Sequence, residues 1–368
     1  MMAHDRLFEL LRIEFGVQET LSRPLLEEEW TEVYALAVKH CVVGLVFGAI
    51  QRMPRAMEPP KNIRLKFIYY TDKIQQRNAI LDAQCREITE KLSDLQMESC
   101  ILKGQGLALL YPDPEFRQSG DIDVWTRPSS GGVTDRRSMV ELFESRWKVE
   151  KTFYHHVDIF PFGTKGTEVE AHFTPSWMNS PHLNRRLQKY FAEQAPVQFA
   201  NELSGKGYCA PTSGFNTVYG MIHLYRHLLL EGFGLRQLCD YYVILTHSSE
   251  RDRAEAAKVF SALRMKRFAG AIMYVLKEMF SLDEKFFIFR ADASKGRMMY
   301  EEIMMAGNFG KSDSRNRNIK RKYTPGTFLR KTARVFRYIP LAGSEALFSP
   351  VFRLWQYFWR LRNRDVFK

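Results

Sequence analysis

Apolar residues recur at three- and four-residue intervals through residues 1–97, a spacing that predicts helices. LLEEEWTEVYALAVKHCVVGLVFGAIQRM carries the pattern until Pro54, Pro59 and Pro60 close it. In IRLKFIYYTDKIQQRNAILDAQCREITEKLSDL, Ile74, Leu81, Ile88 and Leu95 fall on one repeating face. Cys85 and Leu92 fill the gaps, and the opposite side is charged. The period then shortens. SCILKG is a strand ending in a glycine turn, GLALLY suits a turn of helix stopped by Pro112 and Pro114, and DIDVWTR is a second strand. DRRSMVELFESR reads as a helix with Asp135 at its start, where a carboxylate can cap free N–H groups. WKVEKTFYHHVDIFPF and TEVEAHF read as two strands of a hairpin joined through GTKG.

From Ala210 onward the helical period returns in NTVYGMIHLYRHLLLEG, LRQLCDYYVILTHSS, RAEAAKVFSALRM and RFAGAIMYVLKEMF. KSDSRNRNIKRKYTPG is a polar, basic linker, and PVFRLWQYFWRLRNR an aromatic-rich helix with Arg353, Arg360, Arg362 and Arg364. These elements predict an α+β protein with a small mixed sheet flanked by helical regions. The expected divisions are an N-terminal helical region at 1–97, an α/β core at 98–200, a C-terminal helical region at 201–310, and a basic linker with a tail helix at 311–368.

Composition adds two constraints. With 45% hydrophobic and 26% charged residues over 368 positions, the chain is globular and long enough for more than one domain. No apolar run reaches the roughly 18 residues that a membrane span needs, and the N-terminus lacks a small-residue cleavage site, so a cytoplasmic protein is expected. The five cysteines are scattered without CxxC spacing, which predicts reduced, buried thiols and no zinc site. The net charge of +12 is uneven. Residues 311–368 hold 15 Lys and Arg against 3 Asp and Glu, so the preceding 310 residues are formally neutral. In PVFRLWQYFWRLR the interleaved aromatic and basic residues suit peripheral contact with an anionic membrane, with Phe352, Trp355, Phe358 and Trp359 in the interface. The plainer reading is a basic helix folded back on the domain. No nucleic-acid-binding module is recognisable, and nucleic acid is not an expected partner.

The candidate chemistry lies in LKGQGLALLYPDPEFRQSGDIDVW and TEVEAHF. Side chains alternate along a strand, so Asp121 and Asp123 share one face while Ile122 and Val124 point to the other. Glu168, Glu170 and His172 alternate likewise, with Val169 and Ala171 inward. If the two strands are neighbours, Glu170 completes a three-carboxylate cluster suited to two magnesium ions, and Glu168 replaces it if the register slips by two. Gly104 and Gly106 permit close backbone approach at a helix N-terminus, where free N–H groups favour phosphate. Lys103 and Arg117 would either neutralise a triphosphate or pair with a carboxylate. His223 and His227 read as a packed helix face, and Arg236 with Asp240 as an i,i+4 pair.

LKG, then R-x-x-G-D-I-D-V, then a strand with an acid two residues before histidine, resembles the uncharacterised nucleotidyltransferases of the polymerase-β-like superfamily. The resemblance covers roughly Ile101 to Trp177, and LRQLCDYYVIL is similar to that family's C-terminal helical region. It implies a palm-like sheet, magnesium and an NTP, with Asp121, Asp123 and Glu170 as metal ligands and catalytic residues. It also implies that Lys103, Gly104, Gln105, Arg117 and Gly120 hold the nucleotide. Gly104-Gln105 stands where the superfamily usually has Gly-Ser. The expected reaction is transfer of NMP to a hydroxyl of a small molecule, a sugar or antibiotic-like acceptor, with release of pyrophosphate. The alternatives are a protein or tRNA acceptor, or a catalytically silent binding protein on the same fold.

Overall fold

The computed structural model describes residues 3–129, 135–307 and 325–362. Of the basic linker expected over 311–326, residues 311–324 lie outside the described residues, as does Arg364, and Pro325 and Gly326 open a helix. Helix α1 (Ala3–Glu14) is followed by α2 (Glu27–His40) and α3 (Val43–Arg52). The last two separate at Cys41, which turns left-handed (φ 57°) and gives its N–H to the carbonyls of Ala37 and Val38. Helix α4 (Lys61–Asp94) is the long amphipathic helix that the heptad-like spacing predicts. Ile74, Leu81, Cys85, Ile88 and Leu92 of that face are buried, and Leu95 caps the end.

The sheet follows. Strand β1 (Met97–Leu102), the short α5 (Gly104–Ala108), β2 (Ile122–Pro128), α6 (Arg136–Arg146), β3 (Val149–Thr152), β4 (His156–Phe162) and β5 (Thr167–His172) succeed one another. The spatial order is β1-β2-β5-β4-β3. Only β2 and β5 run parallel; the other neighbours are antiparallel. WKVEKTFYHHVDIFPF is two strands rather than one, because Phe153 to His155 turn the chain so that β3 folds back on β4. The β4–β5 hairpin closes from Phe162 to Thr167 around GTKG.

Helices α7 (Pro181–Phe199), α8 (Ser213–Leu230), α9 (Leu235–Thr246), α10 (Glu250–Ala262), α11 (Lys266–Phe280), α12 (Ala293–Ala306), α13 (Pro325–Phe336) and α14 (Ile339–Arg362) complete the chain. The N- and C-terminal helices share one apolar core: Trp30, Phe67, Leu224, Phe268 and Leu341 belong to the same buried cluster. A second core lies on the other face of the sheet, where Ile122, Val124, Val169 and Ala171 meet Leu81, Cys85, Ile88 and Phe143. The sheet is thus sandwiched between α4 with α6 on one side and α7 with α8 on the other. Trp125 plugs the second side, 5.7 Å from the ring of Phe215 and 4.8 Å from that of Phe199. No disulfide joins the five cysteines.

Candidate active site

The alternation of β2 decides what faces the helical side of the sheet. Ile122 and Val124 enter the second core, so Asp123 points the opposite way, with Asp121 just before the strand begins. The parallel pairing sets Asp123 opposite Glu170 and Trp125 opposite His172, while the antiparallel pairing sets His156 opposite His172. A cavity of about 400 Å³ opens above them. Asp121, Asp123 and Glu170 all line it, as do Lys103, Gly104, Arg117 and Gly120. Glu168 shares the face of Glu170 but is exposed and outside the cavity lining, so the register without a slip is the one present.

Carboxylates held this close need compensation. Lys103 Nζ lies 2.9 Å from Asp123 Oδ2, and His172 Nε2 lies 3.0 Å from Asp123 Oδ1 and 3.2 Å from Glu170 Oε2. Burial opposes the charge on Asp123, but the Lys103 ammonium and the His172 bond outweigh it and hold the carboxyl far below the usual range. Burial likewise pulls His172 down, yet its bonds to Asp123 and Glu170 push it up to about 9, so the ring is an imidazolium donating to both acids. Asp121 is open at the cavity's lip. The surrounding protein still desolvates its carboxylate and, with the charges of Asp123 and Glu170, pushes it up to about 6.

The turn before α5 is strained. Lys103 adopts φ 53° and Gly104 φ 42°, and a Cβ on Gly104 would meet nothing within 4 Å. Glycine is there for its backbone, which lies open to the cavity. Gly106 serves packing instead, since a Cβ would come within 2.7 Å of Ala210. Gln105 does not line the cavity. Its amide donates to the Asn78 carbonyl (2.9 Å) and accepts from Ser119 Oγ (2.8 Å), which ties the turn to α4. Arg117 chelates Asp240 through Nε (2.7 Å) and Nη2 (2.8 Å), and Tyr111 OH donates to the same carboxylate (2.7 Å). The expected helical pair of Arg236 and Asp240 is therefore replaced. Asp240 takes the buried guanidinium from the loop before β2, while Arg236 donates to the Gln118 carbonyl at 3.0 Å. Two residues of α9 thereby hold the loop just before the GDID segment, at Arg117 and Gln118.

The far wall includes His223 and His227, expected from the sequence to be a packed helix face, and Tyr219, which no motif singles out. Tyr219, His223 and His227 recur every four positions on α8 and face the acids across the cavity. His223 and His227 meet Nε2 to Nε2 at 2.9 Å, and burial keeps both below the ordinary histidine range. Arg226 stacks on Trp177 with its guanidinium carbon 4.1 Å from the ring centroid. The ring of His155 lies 3.8 Å from that of Trp177. A polar residue at every fourth place of an otherwise apolar helix was the available signal for Tyr219, His223 and His227.

Among the described residues, the tightest group of metal-type donors is His156, Glu170 and His172, whose ligand atoms all lie within 4.8 Å of one another. Nδ1 of His156 and of His172 is buried without a protein partner among the described residues. Oxygen donors from Asp121, Asp123 and Glu170 suit magnesium or manganese, and the His156 imidazole beside them favours the softer of the two. The residues fit a divalent cation.

The model of the uncharacterised nucleotidyltransferase family matches residues 27–281, more than two thirds of the chain. The chain belongs to this family. No curated protein matches the sequence. Among solved structures, an antigenic nucleotidyltransferase-like protein from Paracoccidioides brasiliensis is similar at 13% identity and a TM-score of 0.34, over 59% of this chain and 96% of that one. The family match begins inside the N-terminal helical region and ends with α11, so the nucleotidyltransferase unit includes helices that frame the sheet on both sides.

Proposed function

We propose that the chain is a magnesium- or manganese-dependent nucleotidyltransferase that moves NMP from an NTP to a hydroxyl of a small acceptor. The observation that carries this reading is the parallel pairing of β2 with β5, which sets Asp123 opposite Glu170 beneath a cavity rimmed by the Lys103–Gly104 turn. Asp121, Asp123 and Glu170 would hold the cation, with His156 and His172 beside them. Bound there, the metal would acidify the acceptor hydroxyl and absorb charge developing on the α-phosphate. The Gly104 backbone approaches the phosphates, and Lys103, released from Asp123, neutralises them. Glu170, hydrogen-bonded to His172, orients the acceptor hydroxyl and takes its proton. Arg117 does not reach for phosphate in this reading; its chelation by Asp240 fixes the strand entry.

A small acceptor is favoured by enclosure. Tyr219, His223 and His227 on one side and Trp177 with His155 on the other form polar and flat aromatic walls, suited to a sugar or heterocycle, close to the acids. A second reading, a nucleotide-binding protein without turnover, draws on one observation: Lys103 and His172 already neutralise Asp123. The test is a thermal melt of the full chain with each NTP, with and without magnesium or manganese, alongside pyrophosphate release in the presence of candidate acceptors. Metal-dependent protection that Asp121→Asn abolishes, together with pyrophosphate release, is expected. Protection without release from any sugar, protein or tRNA acceptor would select the silent reading. The absence of both protection and NTP consumption overturns the proposal.

A further inference from the structure

Helix α14 has two unlike faces. On the inner face Leu341, Ala342 and Ala346 are buried, and the Glu345 carboxylate accepts the N–H groups of Asn179 (Oε2) and Ser180 (Oε1, 2.9 Å) at the start of α7. Further along, Phe352, Trp355 and Trp359 gather around Tyr154 at ring distances of 5.7, 5.5 and 6.4 Å, and Arg360 lies over Phe153. The helix is therefore fixed to the protein and does not trail from it. The outer face carries Leu347, Val351, Leu354 and Phe358, which are 56, 58, 48 and 63% exposed. Their spacing of four, three and four is that of one helical stripe. On α13, Leu329 and Phe336 repeat the pattern seven residues apart, and Ile339 and Phe348 add to the exposed apolar surface.

Single exposed apolar residues are ordinary, but an exposed apolar row on each of two helices packed together is a candidate docking surface. We propose that this surface binds an anionic lipid membrane, with α13 and α14 lying in the plane of the headgroups. Charge selects the occupant. Of the seven Lys and Arg in residues 325–362, Arg330, Arg337 and Arg362 are exposed while Arg334 is buried against the carbonyls that end α8; the single acid, Glu345, is turned inward and buried. Arg330 and Arg337, also seven apart, flank the Leu329–Phe336 row. A second copy of the chain would bring like charge against like charge, whereas anionic headgroups complement it. No helix of the described residues is long and apolar enough to cross a membrane, so the geometry is that of a helix in the interface. The same helix supports the Tyr154–Trp177 cluster, and Trp177 lines the cavity. The membrane surface thereby lies one helix away from the candidate site.

The experiment is co-sedimentation of the full chain with phosphatidylcholine vesicles containing about a third phosphatidylserine, and with phosphatidylcholine alone, at low and raised salt. Binding to the anionic vesicles that weakens with salt is expected. Val351→Glu combined with Phe358→Glu should lower it about tenfold or more. Leu329→Glu, on the other helix, should lower it to a smaller extent. Both sets of positions face solvent, and an unchanged melting temperature verifies folding in each. Failure to sediment with anionic vesicles, or sedimentation that the double variant retains, overturns the proposal. So does a concentration-dependent dimer, measured by sedimentation velocity, that the same double variant dissolves.

Discussion

The helical body and the cavity face of the sheet solve opposite problems. In the body, burial is mostly apolar and joins distant helices: Trp30 lies edge-on to Phe67, and α1 packs on α3 and α11. Its buried polar groups are either paired close by, as Arg6 is with Glu9, or neutral, as is His40, held down to about 3 by burial and by the Lys39 charge. The cavity face instead gathers two cations and three carboxylates that compensate one another across two strands and a strained turn. One region spends its sequence on packing. The other retains charge that packing alone would expel, which makes it the candidate functional site.

That contrast can be broken at either end. The largest effect is expected for Asp123→Asn, which keeps the volume but removes a carboxylate facing the cavity. Nucleotidyl transfer should fall about a thousandfold, or about 4 kcal/mol, measured as pyrophosphate release, while the fold persists by circular dichroism. In the body, Trp30→Ala should cost about 3–5 kcal/mol in urea unfolding, because the fully buried ring leaves a void that its neighbours cannot fill. Gly44→Ala tests the junction between the regions. A Cβ there would come within 2.1 Å of the Phe116 carbonyl oxygen, one residue before Arg117. A loss of about 1–3 kcal/mol is expected, accompanied by reduced transfer activity as the Arg117–Asp240 clamp shifts.

A further effect, spread over several pH units and small in each, is in pH. His40 is neutral in the fold down to about 3 but protonates near 6.5 once unfolded, so its stabilising contribution is complete above about 6.5. Below that value stability should fall by up to about 1.4 kcal/mol per pH unit through this group until the pH approaches 3. His40→Asn should flatten that part of the profile in thermal melts at successive pH values.

Period and alternation made most elements legible. The face through Ile74, Leu81 and Ile88 predicted α4, and DIDV and EVEAH predicted strands whose inward residues are the buried ones. Family resemblance added the neighbour relation that brings Asp123 and Glu170 together, which no local pattern contains. What stayed hidden depends on partners far along the chain. Asp240 looked like the partner of Arg236 four places away, but a guanidinium 123 positions earlier offers it two parallel bonds. Gln105 looked like a phosphate-turn residue, and its amide is consumed by Asn78 and Ser119. The His155–His156 pair concealed a bend because both residues are compatible with a strand, and only the fold-back of β3 on β4 reveals it.

Helix α4 has a practical consequence. At 34 residues it extends about 50 Å and contributes to both cores, with Asn78 partway along its length. That one amide grips the carbonyls of Glu115 and Arg117 while its backbone receives Gln105. The sheet with its acids is therefore not an excisable module: a fragment trimmed to the strands would lose the strut from which its nucleotide turn is suspended.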